Sequence, residues 1–435
     1  MADLEFREDE FWKVIPAWKN VDRETFISHQ WQEKNAITNH KKLLATIREL
    51  VGDSFLADAK EGFRKAPMTT RITPYLLSLM NWSDPYNCPI RRQFLTVASH
   101  LQPDHPMLRF DSLGEQADSP VSGLTHRYED KVLFLALDTC PVYCRYCTRA
   151  YAVGGDTESA EKISIKATND RWKQMFSYLR ENPQVQDVVI SGGDSFRLKP
   201  EQITEIGEQL LRIDSIRRFR FATKGLAIMP MKVVTDTAWT TAVCNIVEKA
   251  RKQYKEACIH THFNHPNEIT GFTREAMNML FSRGVKVRNQ SVFQNHVNDN
   301  FDTMKGLVKK LSYINIQPYY VYVHDLTAGT EDMRTSVQTA IDVEKNLRGT
   351  TAGFNTPLFV VDAPGGGGKR DAHSYDWYDS STGISVWSAP SVKPDEKFLY
   401  FDPTHSLTDD VAKMWKSEKD RKHMIESALA QRLAF

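Results

Sequence analysis

The chain has 435 residues, of which 41% are hydrophobic and 26% are charged, and its formal net charge is +1. This composition is typical of a globular protein, and the near-zero charge gives no sign of a nucleic-acid or membrane partner. The first ten residues are acidic, and no stretch of about 18 apolar residues follows, so we expect neither a signal peptide nor a membrane span. Six cysteines are too few for a disulfide framework, which indicates the reducing cytoplasm.

Residues 1–115 are predicted to form a mostly helical N-terminal extension. Its aromatic residues are spaced among charges, a pattern that favours short amphipathic helices: Trp12, Trp18, Phe26 and Trp31. Residues 73–80 are predicted to form another helix, with Pro74 in its first turn. The extension could serve as a cap, an oligomer arm, or both.

Between residues 116 and 370, apolar strands alternate with helical patterns. The predicted strands are 131–138, 187–191, 217–222, 257–262, 285–292, 316–322 and 357–361. The predicted helices are 170–180, 201–213, 238–254, 274–282, 303–311 and 337–347. Such βα units predict an α/β fold with a parallel sheet and outer helices. About six units favour a partial TIM-type (β/α)6 barrel, although the pattern leaves a doubly wound sheet open.

Residues 371–435 are predicted to be a C-terminal appendage. Residues 373–378 and 384–387 flank the turn-rich Ser380–Gly383, which indicates a hairpin. Residues 408–433 are predicted to form a charged amphipathic helix. The appendage carries no pattern that indicates a function.

Three cysteines, Cys140, Cys144 and Cys147, follow the predicted strand 131–138 directly. Thiolates are soft ligands that select zinc or iron–sulfur clusters, and a closed structural zinc site needs four ligands. A [4Fe–4S] cluster held by three cysteines keeps one iron open for a small molecule. A zinc site completed by a distant residue, or three incidental thiols, is the alternative. The remaining cysteines are predicted to be isolated buried thiols: Cys88, Cys244 and Cys258.

Two glycine motifs follow predicted strands. Ser191-Gly192-Gly193-Asp194 is by itself a weak turn signal, although glycine lets a ligand approach the backbone and aspartate accepts hydrogen bonds from an ammonium. The second motif, residues 362–369, carries four successive glycines before Lys369. This motif does not match the Walker pattern of phosphate-binding loops at either the first or the last position of that pattern. Lys369 is a candidate Schiff-base former, and a flexible linker with an exposed lysine is the alternative.

Together these motifs resemble the lysine 2,3-aminomutase family, the pyridoxal-phosphate-dependent aminomutases among the radical S-adenosylmethionine (SAM) enzymes. The resemblance extends over about residues 70–370 in family order. It is carried by residues 125–128 (THRY), 140–149 (CPVYCRYCTR), 191–194 (SGGD), 261–268 (THFNHPNE), 289–292 (NQSV), 317–320 (QPYY) and 362–369 (DAPGGGGK). It implies a partial barrel of the radical SAM kind.

The resemblance also implies a role for individual residues. The implied ligands of a [4Fe–4S] cluster are Cys140, Cys144 and Cys147, and the implied SAM contacts are Ser191, Gly192, Gly193, Asp194 and Gln290. Lys369 would bind pyridoxal phosphate covalently, near Arg127, Tyr128 and Lys131. Lys131 stands where the family usually has an arginine. The positive charge is therefore retained, but the paired N–H donors of a guanidinium are lost. Arg149 would hold the substrate carboxylate.

The substrate implied by the resemblance is L-lysine, with its side-chain ammonium between Asp325 and Asp362. An ammonium that enters a dry barrel must be paired, and glutamate-specific relatives carry Lys and Asn at these two positions. The expected reaction moves the α-amino group to the β-carbon and gives β-lysine, with an electron from a reducing donor protein. Without the resemblance, both aspartates would be read as turn or helix caps.

Three other functions stay open at this point. The same amino shift could act on another cationic amino acid such as arginine. The chain could be a radical SAM enzyme of another reaction class, with a structural Lys369, or a zinc-binding scaffold without activity.

One departure concerns the oligomer. Bacterial members of the family share a zinc between a C-terminal cysteine cluster and a cysteine at the position of Asn300, but this chain has no cysteine after Cys258. We therefore expect no zinc, and a homo-oligomer whose contacts are made otherwise.

Overall fold

The computed structural model describes residues 5–158 and 160–431. The N-terminal extension contains the short helices α1 (Arg23–Ile27), α2 (His29–Lys34), α3 (His40–Ile47), α4 (Asp53–Lys65), α5 (Pro74–Leu79) and α6 (Pro89–Phe94). The predicted helix at 73–80 is confirmed as α5, with the Thr73 side chain as its N-cap. Trp12 stacks on Phe26 at 4.2 Å within the extension, and Phe11 packs edge-on against Phe272, which joins the extension to the barrel.

The central element is a sheet that, over the described residues, has nine strands in sequential order. They are β1 (Leu124–Tyr128), β2 (Lys131–Leu137), β3 (Asp187–Gly192), β4 (Arg218–Ala222), β5 (Glu256–Thr261), β6 (Val287–Phe293), β7 (Ile316–Val323), β8 (Leu358–Ala363) and β9 (Gly368–Asp371). Strands β2 to β8 are mutually parallel. This order confirms the predicted partial barrel and excludes the doubly wound alternative, in which strand order reverses.

Helices connect the parallel strands on the outside of the barrel. They are α7 (Asn169–Glu181), α8 (Pro200–Leu211), α9 (Gly225–Ile228), α10 (Met231–Thr235), α11 (Thr237–Lys252), α12 (Gly271–Ser282), α13 (Phe301–Tyr313) and α14 (Val337–Leu347). Each predicted strand and helix of this region is confirmed to within a few residues at its ends. Within the described residues, no helix combines the length and the apolar character that a membrane span requires.

The two edge strands were not predicted. Strand β1 pairs antiparallel with β2, and β9 pairs antiparallel with β8. Both are short and polar, so neither shows an apolar run. The backbone N–H of Lys369 on β9 donates to the Tyr128 hydroxyl on β1 at 2.9 Å, which brings the two edges of the sheet together. Lys369 lies on β9, at the edge of the sheet.

The appendage is a second antiparallel sheet followed by two helices in the part of the chain that is described. The sheet contains β10 (Trp377–Asp379), β11 (Ile384–Ala389) and β12 (Lys393–Phe401), and the helices are α15 (Asp409–Lys416) and α16 (Glu418–Ala430). The predicted hairpin is confirmed as β10–β11, whereas β12 was missed. The single predicted helix is wrong, because Ser417 caps a new helix, and residues 432–433 of that prediction lie outside the described residues. The division into domains 1–115, 116–370 and 371–435 stays a prediction.

The end of β2 is held by a buried arginine. The Arg171 guanidinium donates to the carbonyl oxygens of Leu135 and Ala136 at 2.6 and 2.9 Å. It also donates to the carbonyls of Ile165 and Lys166 ahead of α7. Arg171 thus fixes the strand from which the cysteine loop departs.

We expect Arg171→Leu to lower the free energy of unfolding by about 2–4 kcal/mol, because buried carbonyls lose their donors. Urea unfolding followed by circular dichroism measures this change. Arg180→Leu, on the same helix, is the matched control, because its guanidinium makes an exposed bond to Gln209. An equal loss in both variants would contradict the assignment.

Candidate active site

The barrel encloses a cavity of about 340 Å³ at the carboxyl ends of its parallel strands. Its wall contains all the site residues predicted from the sequence: Arg127, Tyr128, Lys131, Cys140, Cys144, Cys147, Arg149, Ser191, Gly192, Gly193, Asp194, Gln290, Asp325, Asp362 and Lys369. These residues come from strands or from the loops that directly follow them. The geometry brings them together, as expected for a parallel barrel.

The cysteine loop is held by the N-terminal extension. The backbone N–H groups of Tyr143 and Arg145 donate to the carbonyls of Arg71 and Gln93 at 3.0 and 2.9 Å. The Arg145 guanidinium forms a buried bidentate pair with Asp332 at 2.9 and 3.1 Å. The loop is therefore fixed from both sides before any ligand binds.

The chemistry of the donor set fits an iron–sulfur cluster. All three thiols line one cavity and, among the described residues, are unpaired by disulfides. Burial raises the pKa of each, and that of Cys144 to about 12. No group of three or more His, Cys, Asp or Glu residues within the described chain is arranged around a single metal ion. In an iron–sulfur cluster, by contrast, each thiolate binds a different iron.

The glycine–aspartate motif packs against the start of the cysteine loop. Gly192 has a φ of 109°, and a side chain there would collide with the Leu137 carbonyl. Asp194 accepts backbone N–H bonds from Phe196 at 2.8 Å and from Lys224 at 2.9 Å. The Asp194 carboxylate, which also has a side-chain hydrogen bond with Thr223, thus caps local structure at the cavity wall.

Lys369 is placed by a tight hairpin. The four glycines form the turn between β8 and β9, and Gly365, Gly366 and Gly368 have φ values of 78°, 101° and 72°, which favour glycine. The register sets Asp362 opposite Lys369, and their Oδ2 and Nζ atoms are 3.1 Å apart. The flexible-linker alternative is therefore wrong.

Asp362 is buried and Lys369 is half-buried, and their opposite charges stabilise each other. Burial lowers the pKa of Lys369, but the Asp362 carboxylate and the Tyr322 and Tyr128 hydroxyls together outweigh this effect and raise that pKa well above its usual value. Lys131 lacks such a partner within the described residues. Burial, and then repulsion from Lys369, lower its pKa to about 8, and its Nζ lies 3.9 Å from the centre of the Tyr128 ring.

A row of alternating charges extends from this pair. The Nη1 of Arg127 is 3.9 Å from Asp362 Oδ1, and its Nε donates to Asp118 Oδ2 at 2.7 Å. Asp118 in turn faces Lys393 of the appendage at 3.8 Å. Neither Asp118 nor Lys393 could be assigned a role from the sequence, because neither belongs to a motif and each contacts residues that are far away in the sequence.

Arg149 has a partner that the sequence did not reveal. Its Nη2 donates to Glu115 Oε1 at 2.8 Å, and the Tyr151 hydroxyl donates to Glu115 Oε2 at 2.8 Å. The buried Nε of Arg149 has no hydrogen-bond partner among the described residues. Glu115 fixes the guanidinium, and the unpaired N–H fits an anionic group in the cavity.

Two buried carboxylates share the cavity wall. Burial, and then the charge of Asp362, raise the pKa of Asp325 well above its usual value. Within the described part of the chain, Oδ1 of Asp325 and Oδ1 of Asp362 have no hydrogen-bond partner. Two such oxygens fit a ligand cation that would satisfy both. The cap roles considered for these aspartates are not seen in the described hydrogen bonds.

Comparison with known proteins identifies the family. The chain is 38% identical over 354 residues to the L-lysine 2,3-aminomutase of Clostridium subterminale, which covers 81% of this chain and 79% of that protein. It is 34% identical over 371 residues to the L-lysine 2,3-aminomutase of Bacillus subtilis (strain 168), covering 85% and 74%. The chain belongs to the lysine 2,3-aminomutase family.

A family model described as Lysine-2,3-aminomutase matches residues 343–374, which include Asp362 and Lys369. The glutamate 2,3-aminomutase of Clostridioides difficile is also similar, with 32% identity over 351 residues, covering 80% of this chain and 77% of that protein. The family thus includes enzymes named for a cationic and for an acidic substrate. The side chains that line the cavity must distinguish between them.

We expect Asp362→Asn to lower the pKa of Lys369, because burial remains while the opposing charge is lost. The neutral amine fraction at pH 7 should rise at least about tenfold. Borohydride trapping of a small aldehyde on Lys369, quantified by peptide mass spectrometry across pH, measures this shift. Asp118→Asn is the control, because Asp118 pairs with Arg127. Identical pH profiles for wild type and Asp362→Asn would rule the effect out.

Proposed function

We propose that this chain is a radical SAM 2,3-aminomutase that moves the α-amino group of L-lysine to its β-carbon and releases β-lysine. One observation carries the choice of substrate. Asp325 and Asp362 each present a buried carboxylate oxygen that has no hydrogen-bond partner among the described residues, in the cavity that also contains Lys369. The relatives named for lysine support the same substrate.

The cavity residues fit the cofactors that this reaction requires. Cys140, Cys144 and Cys147 would hold the [4Fe–4S] cluster. The proposed SAM contacts are Ser191, Gly192, Gly193, Asp194 and Gln290, and the proposed pyridoxal phosphate contacts are Arg127, Tyr128, Lys131 and Lys369. When bound, these groups supply an electron, an adenosyl radical and a conjugated carrier for the migrating amino group.

The protein residues would bind the substrate at its two ends. Arg149, fixed by Glu115, would pair with the α-carboxylate, and Asp325 with Asp362 would pair with the side-chain ammonium. Two fixed ends set the orientation of the carbon chain between them, which is the main contribution of a protein that positions reacting groups.

Lys369 itself shows how the substrate cation could be accommodated. In the structure its Nζ lies 3.1 Å from Oδ2 of Asp362. Once the Lys369 nitrogen is engaged elsewhere, Asp362 keeps the more distant Arg127 at 3.9 Å, and the substrate ammonium would take the place of the Lys369 ammonium with the same charge. A substrate with an acidic side chain would face two like charges and be repelled.

Two kinds of partner are proposed. A reducing donor protein would supply the electron. Further copies of this chain would form a homo-oligomer without the zinc of the bacterial members. The position of Asn300 is consistent with this difference, because its side chain accepts the Thr303 N–H at 3.0 Å and caps α13.

The proposed function is tested by anaerobic turnover. Reconstituted protein is incubated with dithionite, SAM, pyridoxal phosphate and lysine, arginine or glutamate, and the products are separated by mass-resolved chromatography. We expect β-lysine from lysine. Conversion of arginine instead of lysine would keep the reaction and change the assigned substrate. SAM cleavage without any β-amino acid would contradict the aminomutase assignment.

We expect Cys140→Ser, Cys144→Ser and Cys147→Ser each to lose bound iron and sulfide after anaerobic reconstitution, because a hydroxyl is a poor ligand for a soft site. Iron and sulfide analysis with electron paramagnetic resonance measures this loss. Cys244→Ser is the matched control, because that buried thiol lies on α11 and does not line the cavity. Retention of the full cluster in the three motif variants would contradict the assigned ligands.

We expect Asp325→Asn to lower kcat/KM for lysine about a hundredfold, because an amide cannot neutralise a buried ammonium. Steady-state anaerobic kinetics measure the change. Asp130→Asn is the control, since this carboxylate is exposed ahead of β2. Unchanged lysine kinetics in Asp325→Asn would show that the ammonium binds elsewhere.

A further inference from the structure

Strand β12 of the appendage crosses two loops of the candidate site. The first is the loop that follows β7 and carries Asp325. The buried Tyr400 hydroxyl donates to the carbonyl oxygen of His324, the residue before Asp325, at 2.8 Å. The backbone position of Asp325 is therefore tied to a side chain of β12.

The second loop is the glycine turn between β8 and β9. Phe398 packs directly on Gly367, where a side chain would collide with its ring. The Nζ of Lys393 donates to the Gly365 carbonyl at 3.4 Å and faces Asp118 at 3.8 Å. The turn that places Lys369 opposite Asp362 is thus covered by β12.

The end of β12 is anchored to the barrel through buried polar contacts. Arg334 pairs with Glu331 at 2.6 Å and donates to the Phe401 carbonyl. The carboxylate of Asp402, the residue after β12, accepts the Val337 N–H at 2.8 Å. Strand β12 is therefore a fixed support and not a loose tail.

We propose that β12 is a positioning element of the active site. Tyr400 sets the Asp325 loop, and Phe398 with Lys393 sets the hairpin of Asp362 and Lys369. The strand thereby fixes the distance between the two carboxylates that receive the substrate cation. This inference rests on the proposed function for the identity of the substrate, and on the contacts alone for the positioning of the loops.

The test compares Tyr400→Phe and Lys393→Met with two matched controls. Tyr375→Phe changes another tyrosine of the appendage, which packs on Tyr378 and Trp387. Lys397→Met changes another lysine of β12, which pairs with Asp376 inside the appendage. Hydrogen exchange by mass spectrometry, thermal unfolding and anaerobic lysine kinetics are measured for all four variants.

We expect Tyr400→Phe to raise amide exchange in residues 324–330, and Lys393→Met to raise it in residues 363–369, with the rest of the barrel unchanged. Loss of one neutral hydrogen bond should raise KM for lysine about fivefold in Tyr400→Phe, with a smaller change in kcat. The controls should leave both loops and KM unchanged.

Uniformly raised exchange, or loops that exchange as in wild type, would overturn the proposal and show a merely structural appendage. An unchanged KM in Tyr400→Phe alongside locally raised exchange would also overturn it, because the loop would then move without effect on the substrate. If the wild type does not convert lysine, the proposed function fails, and the exchange pattern alone decides whether β12 positions the two loops.

Discussion

The ion pair of the buried Asp362 and the half-buried Lys369 is the interaction on which the active site depends. It offsets much of the cost of holding these charges away from water, and Arg127, 3.9 Å from Asp362, adds a second positive charge. The side chains of Asp362 and Lys369 meet because a four-glycine turn sets them opposite each other on β8 and β9. Phe398 of the appendage packs on this turn.

This dependence links distant parts of the chain in one arrangement of charge. Arg127 stands between Asp362 and Asp118, and Lys393 closes the row from the appendage. On the other side of the cavity, Glu115 neutralises Arg149. Each charge of this row thus faces an opposite charge before a ligand binds. A substrate ammonium at Asp362 would therefore replace Lys369 as a partner of that carboxylate.

Much of this fold could be predicted from the sequence, because the parallel strands are apolar runs at regular spacing. Strands β1 and β9 could not, since LTHRY and GKRD are short and polar and are stabilised by pairing to their neighbours. The resemblance assigned the motif residues to cofactor and substrate binding, and all of them line one cavity. Glu115, Asp118 and Tyr400 were missed because their contacts lie far along the chain and no local pattern marks them.

We propose that the cavity selects a cationic side chain through Asp325 and Asp362. Norleucine has the same carbon skeleton as lysine without the ammonium, so it isolates this charge. The decisive measurement is the ratio of anaerobic kcat/KM for lysine and norleucine with the reconstituted enzyme. We expect a ratio of about a hundred or more in favour of lysine. A ratio near one would contradict it and leave the two buried carboxylates without a role in substrate binding.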